Sequence, residues 1–99
     1  MKRIDTYICE KVENILDEAE LYGEVDFNYN EELVWVTIYW GDWKHDHARL
    51  RYVMGIHGFS EVECEVIDAD GSDCYSAIHK FKIGKRKGDL KWLVRIKEL

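Results

Sequence analysis

Hydrophobic residues recur every three or four positions over the first twenty residues, at Ile4, Ile8, Val12, Ile15, Leu16 and Ala19. This spacing is that of one face of a helix, so it predicts a first helix over residues 4–22. We expect Gly23 to end this helix as its C′ residue, because glycine adopts the left-handed conformation without strain. A second stripe, made of His47, Leu50, Val53, Met54 and His57, predicts another helix over residues 43–57. Asp42 is its predicted N-cap and Gly58 its predicted stop.

Alternation of apolar and polar residues predicts five strands, over residues 25–29, 32–40, 61–67, 75–83 and 90–96. The element order α-β-β-α-β-β-β predicts the fold class α+β, as one domain over residues 1–99. We expect an antiparallel twisted sheet with both helices packed on one face. The first six elements also match a circular permutation of the ferredoxin-like fold. The last two strands should pair with Phe81 opposite Trp92, beside an acidic strand whose outward residues are Glu61, Glu63 and Glu65.

The second predicted strand is apolar on both faces, which argues for an interaction surface. Val34, Val36, Ile38 and Trp40 form one row, and Leu33, Trp35, Thr37 and Tyr39 form the other. Only one row can face the helices, so the second row lies on the open face of the sheet. We predict that Leu33, Trp35 and Tyr39 bind a partner there, either a second copy of the chain or another protein. Two alternatives stay open: Lys and Arg stems of neighbouring strands cover the rings, or nucleobases stack on them.

Charge is distributed unevenly along the chain. The net charge is −6, yet residues 80–99 hold eight of the fourteen Lys and Arg residues and carry a charge of +6. The candidates for binding an anionic partner are Lys80, Lys82, Lys85, Arg86, Lys87, Lys91 and Arg95. The alternative is that the acidic strand over 61–67 neutralises this basic hairpin within the sheet. Residues 1–79 carry −12, which disfavours a nucleic-acid partner.

Reactive side chains are too widely spaced to predict a catalytic or metal site. His45 and His47 are two positions apart, so in a helix they point to different sides and do not share a metal ion. The remaining candidates, His57, His79, Cys64 and Cys74, meet only through tertiary folding. The segment DADGSD lacks the first and last ligands of a calcium loop and is typical of a turn. We therefore predict that the protein is not an enzyme and holds no metal or cofactor.

Cysteine content and hydropathy indicate the compartment. Three cysteines without a C-x-x-C pair favour free, reduced thiols in the cytoplasm. No apolar run of about 18 residues is present, so we expect no membrane span. The N-terminal sequence MKRIDTYICEKVENILDEAE lacks the apolar core of a secretory signal.

Two short segments, YWGDWKHDH (39–47) and DGSDCYS (70–76), resemble parts of small uncharacterised proteins carried by bacterial phages and other mobile elements. The resemblance implies an accessory protein that acts by binding, such as an inhibitor of a host defence protein. The acidic residues of and after the first helix would then imitate a row of phosphates: Glu10, Glu13, Asp17, Glu18, Glu20, Glu24 and Asp26. An ordinary solvated helix face explains the same residues.

The function that the sequence favours is that of a non-catalytic, protein-binding accessory module that associates with itself through the aromatic open face. The alternative is a nucleic-acid-binding accessory protein that uses the C-terminal basic hairpin.

Overall fold

A computed structural model describes residues 4–83 of the chain. The elements are α1 (Ile4–Glu18), β1 (Glu24–Asn28), β2 (Leu33–Asp42), α2 (Ala48–Ile56, preceded by a π-helical turn at Trp43–His47), β3 (Phe59–Ala69) and β4 (Cys74–Ile83). Within these residues, no helix combines the length and the apolar character needed to cross a membrane.

The four strands form one antiparallel sheet in the order β1-β2-β4-β3. The predicted α+β class is therefore confirmed, and a circular permutation of the ferredoxin-like fold requires this same strand order. The predicted last strand, residues 90–96, lies outside the described residues. Its expected pairing with residues 75–83 therefore lies outside them as well; within the described sheet, β4 has β2 along one edge and β3 along the other.

Both helices cover the same face of the sheet. The core joins Ile8, Val12 and Leu16 of α1 and Leu50 and Met54 of α2 with Val34, Val36, Ile38 and Phe81 of the sheet. Burying each large aliphatic side chain contributes about 1.5–3 kcal/mol, so this layer is the main source of stability. Because alternate residues of β2 lie on opposite faces, Leu33, Trp35 and Tyr39 lie on the face that neither described helix covers, which is the predicted open face.

The first helix ends earlier than predicted. Glu20, not Gly23, occupies the left-handed C′ position, with φ of 58°. The N–H of Leu21 donates to the carbonyl of Leu16 and the N–H of Glu20 to that of Asp17, which is the Schellman pattern. Gly23 instead allows a close approach to β2, since a Cβ there would lie 2.8 Å from the carbonyl oxygen of Thr37.

Asp42 caps the second helix, as predicted. Its carboxylate accepts hydrogen bonds from the N–H groups of Lys44 and His45, at 2.8 and 3.0 Å. The carboxylate of Asp46 accepts the N–H of Asp42 in return, at 2.7 Å. These reciprocal bonds satisfy donors that a helix start leaves unpaired. Gly58, with φ of 92°, follows the end of the helix, again as predicted.

Two bulges in β3 change which face its residues occupy. The pairing shifts between Glu61 and Glu63, and again between Val66 and Asp68. The expectation that Glu61, Glu63 and Glu65 share one face was therefore wrong. The extra residue at the first bulge, Val62, moves Glu61 to the side that the helices cover, where it pairs opposite the buried Phe81.

Candidate functional site

The pairing of β3 with β4 brings two reactive side chains together under α2. Cys64 and His79 are directly opposite each other in the register. His79 is fully buried and Cys64 is half-buried. The carboxylate of Glu61, the thiol of Cys64 and a ring nitrogen of His79 all lie within 4.8 Å of one another. The structure therefore brings His79 to two residues, Glu61 and Cys64, that lie at least fifteen positions away in sequence.

A chain of hydrogen bonds continues from His79 into the interior. Nε2 of His79 lies 2.7 Å from Nδ1 of His47, which is also fully buried. Nε2 of His47 lies 3.0 Å from the carbonyl oxygen of Tyr75. The ring of His47 stacks on that of Tyr75 with centroids 4.1 Å apart, which fixes the orientation of the imidazole.

Glu61 closes the other end of the chain. Its Oε1 lies 2.5 Å from Nδ1 of His79, and its Oε2 accepts a hydrogen bond from Nε of Arg51 at 2.8 Å. Burial lowers the pKa of His79 below the usual histidine value, and the bond to Glu61 opposes that shift without cancelling it. Both imidazoles need partners, since a buried ring nitrogen without one is costly.

The thiol of Cys64 shares this environment. Burial raises the pKa of Cys64, the negative charge of Glu61 adds to the rise, and Arg51 opposes it. A protonated, partly covered thiol is a weak nucleophile at neutral pH. Cys9, Cys64 and Cys74 form no disulfide with one another.

One row of paired residues on the open face has an acidic, an aromatic, a basic and an acidic side chain on the four described strands. The register aligns Asp26, Trp35, Lys80 and Glu63. Nζ of Lys80 lies 4.6 Å from the ring centroid of Trp35 and 3.1 Å from the carboxylate of Glu63. The hydrogen bond to Glu63 raises the pKa of Lys80. A lysine thus covers the predicted aromatic contact, which is one of the alternatives that the sequence left open.

Tyr39 and Trp40 are the more accessible aromatic residues of β2. The pairing with β4 shifts between Ile38 and Gly41, so Tyr39 and Trp40 together occupy the position opposite Ser76. Their exposed fractions are 52% and 49%. Trp40 has φ of 53°, and its N–H donates to Oγ of Ser76 at 2.9 Å. The predicted contact Leu33, in contrast, is half-buried.

The predicted basic surface is only partly described. Lys80 is engaged with Glu63, at 3.1 Å, and with Glu65, at 3.7 Å, whereas Lys82 is exposed. Lys85, Arg86, Lys87, Lys91 and Arg95 lie outside the described residues. On α1, the predicted acidic residues Glu10, Glu13, Asp17 and Glu18 are all exposed.

Comparison of the chain with known protein families, curated proteins and solved structures finds no match. Sequence analysis missed Glu61 as a partner of His79, because the bulge at Val62 is not visible as an alternation of apolar and polar residues. The available signal was the alternation of the two strands, in which Cys64 lies between outward glutamates and His79 lies two positions before Phe81.

Proposed function

We propose that the protein is a non-catalytic binding module that takes a positively charged protein partner on the open face of its sheet. The observation that carries the proposal is the conformation and exposure of Trp40. A left-handed conformation costs a non-glycine residue roughly 1–2 kcal/mol. The residue in this conformation is Trp40, whose indole ring is half-exposed beside Tyr39. Strain of this kind collects at functional positions, and aromatic anchors are typical of protein interfaces.

The charge of the open face supports a basic partner. Among the described residues, this face carries five exposed carboxylates, Glu24, Asp26, Glu63, Glu65 and Asp68, against two lysines, Lys80 and Lys82. The carboxylates lie on the two edge strands, and the lysines lie on β4. A nucleic acid would meet repulsion along both edges.

The same pattern disfavours a second copy of the chain as the partner. Stacking two of these faces about a two-fold axis sets one acidic edge against another, whether β1 meets β1 or β3. Like charges held in register oppose association and select against that partner. Self-association, the original expectation, is accordingly one outcome of the test rather than the proposal.

The experiment compares the proteins that the immobilised wild type captures from a cell lysate with those that two matched variants capture. Tyr39→Ser with Trp40→Ser removes the aromatic contacts, whereas Tyr52→Ser removes an aromatic residue that is 70% exposed on α2. A recovered protein is then purified and titrated at low and high salt. We expect to recover one basic protein that binds the wild type and Tyr52→Ser equally and does not bind the double variant. Its binding to the wild type should be weaker at high salt.

Three results would contradict the proposal. Equal binding by all variants means that the aromatic residues are not the contact. An acidic or nucleic-acid partner reverses the charge argument. Light scattering that shows a dimer dissociated by the double variant assigns the face to a second copy instead.

A further inference from the structure

The contacts among Glu61, His79 and His47 need one proton more than two neutral imidazoles supply. Three contacts run in series: Glu61 Oε1 to His79 Nδ1, His79 Nε2 to His47 Nδ1, and His47 Nε2 to the carbonyl of Tyr75. Each needs one proton between its two atoms. Two neutral imidazoles supply two protons, and an ionised Glu61 supplies none. In that protonation state one of the three contacts sets lone pair against lone pair, and either one further proton in the series or a bound cation removes the mismatch.

A cation at the Glu61 end removes this deficit. The carbonyl of Tyr75 only accepts, so it directs a proton onto Nε2 of His47. Nδ1 of His47 then accepts from Nε2 of His79. That leaves a lone pair on Nδ1 of His79, and this lone pair points toward the side chains of Glu61 and Cys64.

From this juxtaposition we infer that Glu61, Cys64 and His79 form a binding site for one divalent transition-metal ion of the zinc class. One nitrogen, one sulfur and one oxygen are the donor types that such an ion takes in proteins. Binding displaces the thiol proton of Cys64 to solvent, and the resulting thiolate and the Glu61 carboxylate bring two negative charges, which balance the ion. This inference is independent of the proposed binding of a protein on the opposite face of the sheet.

The surrounding contacts suit that role. Arg51 holds the second oxygen of Glu61 at 2.8 Å, and His47 holds the second nitrogen of His79. Metal-bound histidines generally donate their other N–H to a neighbour that fixes the tautomer and the ring orientation. Here that neighbour is itself anchored to a backbone carbonyl and stacked on Tyr75.

The dimensions require a small local adjustment. Ligand atoms around a tetrahedral zinc ion lie about 3.3–3.7 Å apart, given bond lengths of about 2.0–2.3 Å. The three donor atoms lie within 4.8 Å of one another, and the contact between Glu61 and His79 is 2.5 Å. Rotation of the partly exposed Glu61 and Cys64 side chains closes the first distance and opens the second. The partial exposure of both residues leaves a fourth position for water.

Cobalt(II) and zinc(II) titrations of the full chain test the site. Cobalt should produce a thiolate charge-transfer band and the visible bands of a tetrahedral ion, and zinc should displace it at one equivalent per chain. Cys64→Ser should weaken zinc binding by about 100-fold or more and abolish the charge-transfer band, since direct ligands matter more than outer partners. Cys74→Ser is the matched control, because Cys74 is equally half-buried but lies outside the cluster. It should bind like the wild type.

A measurement on the wild type avoids dependence on folding of the variant. Nitrogen NMR of the histidine rings should show that zinc shifts Nδ1 of His79 and leaves its Nε2 protonated. The inference is overturned if cobalt gives no thiolate band, if Cys74→Ser loses the band as fully as Cys64→Ser does, or if zinc leaves Nδ1 of His79 unshifted.

Discussion

His47 and His79 share a buried hydrogen bond of 2.7 Å that joins the start of the second helix to β4, one of the two central strands of the described sheet. Each ring is fully buried, so neither nitrogen can turn to water. The bond therefore fixes the helix relative to the sheet next to the cluster of Glu61, Cys64 and His79.

Replacing His47 should be costly. His47→Leu leaves Nε2 of His79 and the carbonyl of Tyr75 without their partner, and each buried unsatisfied group costs about 1–3 kcal/mol. We expect the free energy of unfolding to fall by about 2–4 kcal/mol in urea titrations. His45→Leu, two residues away and exposed, should change it by no more than about 0.5 kcal/mol. Equal effects of the two substitutions would contradict the assigned role.

Two glycines should respond to alanine in opposite directions. A Cβ on Gly41 would lie 2.7 Å from Cγ2 of Ile38 and 3.0 Å from Cβ of Asp46, so Gly41→Ala should destabilise the fold by about 1–3 kcal/mol. A Cβ on Gly55 meets nothing within 4 Å, so Gly55→Ala should stabilise α2 by up to about 1 kcal/mol. Thermal unfolding of both variants measures the direction of each change in stability. A lower melting temperature for Gly55→Ala would refute the prediction for that position.

The end of α1 offers another matched pair. Glu20 has φ of 58°, a conformation that glycine adopts freely, so Glu20→Gly should stabilise the protein by about 0.5–1 kcal/mol. Glu18→Gly, within the same helix, should destabilise it by about 1 kcal/mol. Chemical denaturation distinguishes the two. A loss of stability in both variants would show that the Schellman turn does not depend on residue 20.

Asp42 should make stability depend on pH. Hydrogen bonds from the backbone N–H groups of His45 and Lys44 lower the pKa of Asp42. Because the folded pKa lies below the unfolded one, the stabilisation is complete above about pH 4 and is lost as the pH falls through the folded value. Asp42→Ala should therefore lower the melting temperature at neutral pH, with the difference from wild type vanishing in strong acid. Asp42→Asn keeps a cap that does not titrate, so its capping should not change with pH.

Local signals were sufficient for the elements of residues 4–83 and for the fold class. Helical stripes and strand alternation depend on neighbours a few positions apart, and the cap at Asp42 is equally local. The position of β2 beside β4 joins residues more than thirty positions apart, as in the pair of Val36 with His79, and no short pattern specifies it.

Part of the candidate metal site could be predicted from the sequence. Centring the last described hairpin on the turn at 70–73 puts Cys64 opposite His79, as the register has it. Glu61 was not predictable, because its face depends on the extra residue at Val62. The left-handed conformation of Glu20 was not predictable either, because glycine is the usual residue at the C′ position and Gly23 is only three residues away.

The two bulges of β3 also limit how the protein can polymerise. This strand is an edge of the sheet formed by the described residues, and it exposes Val62, Val66 and Ile67. Fibril growth by cross-β stacking favours regular segments of six or seven residues. Between the bulges, only residues 63–66 keep an unbroken register. The folded edge is thus a poor template for another strand, and amyloid growth from this segment requires unfolding first.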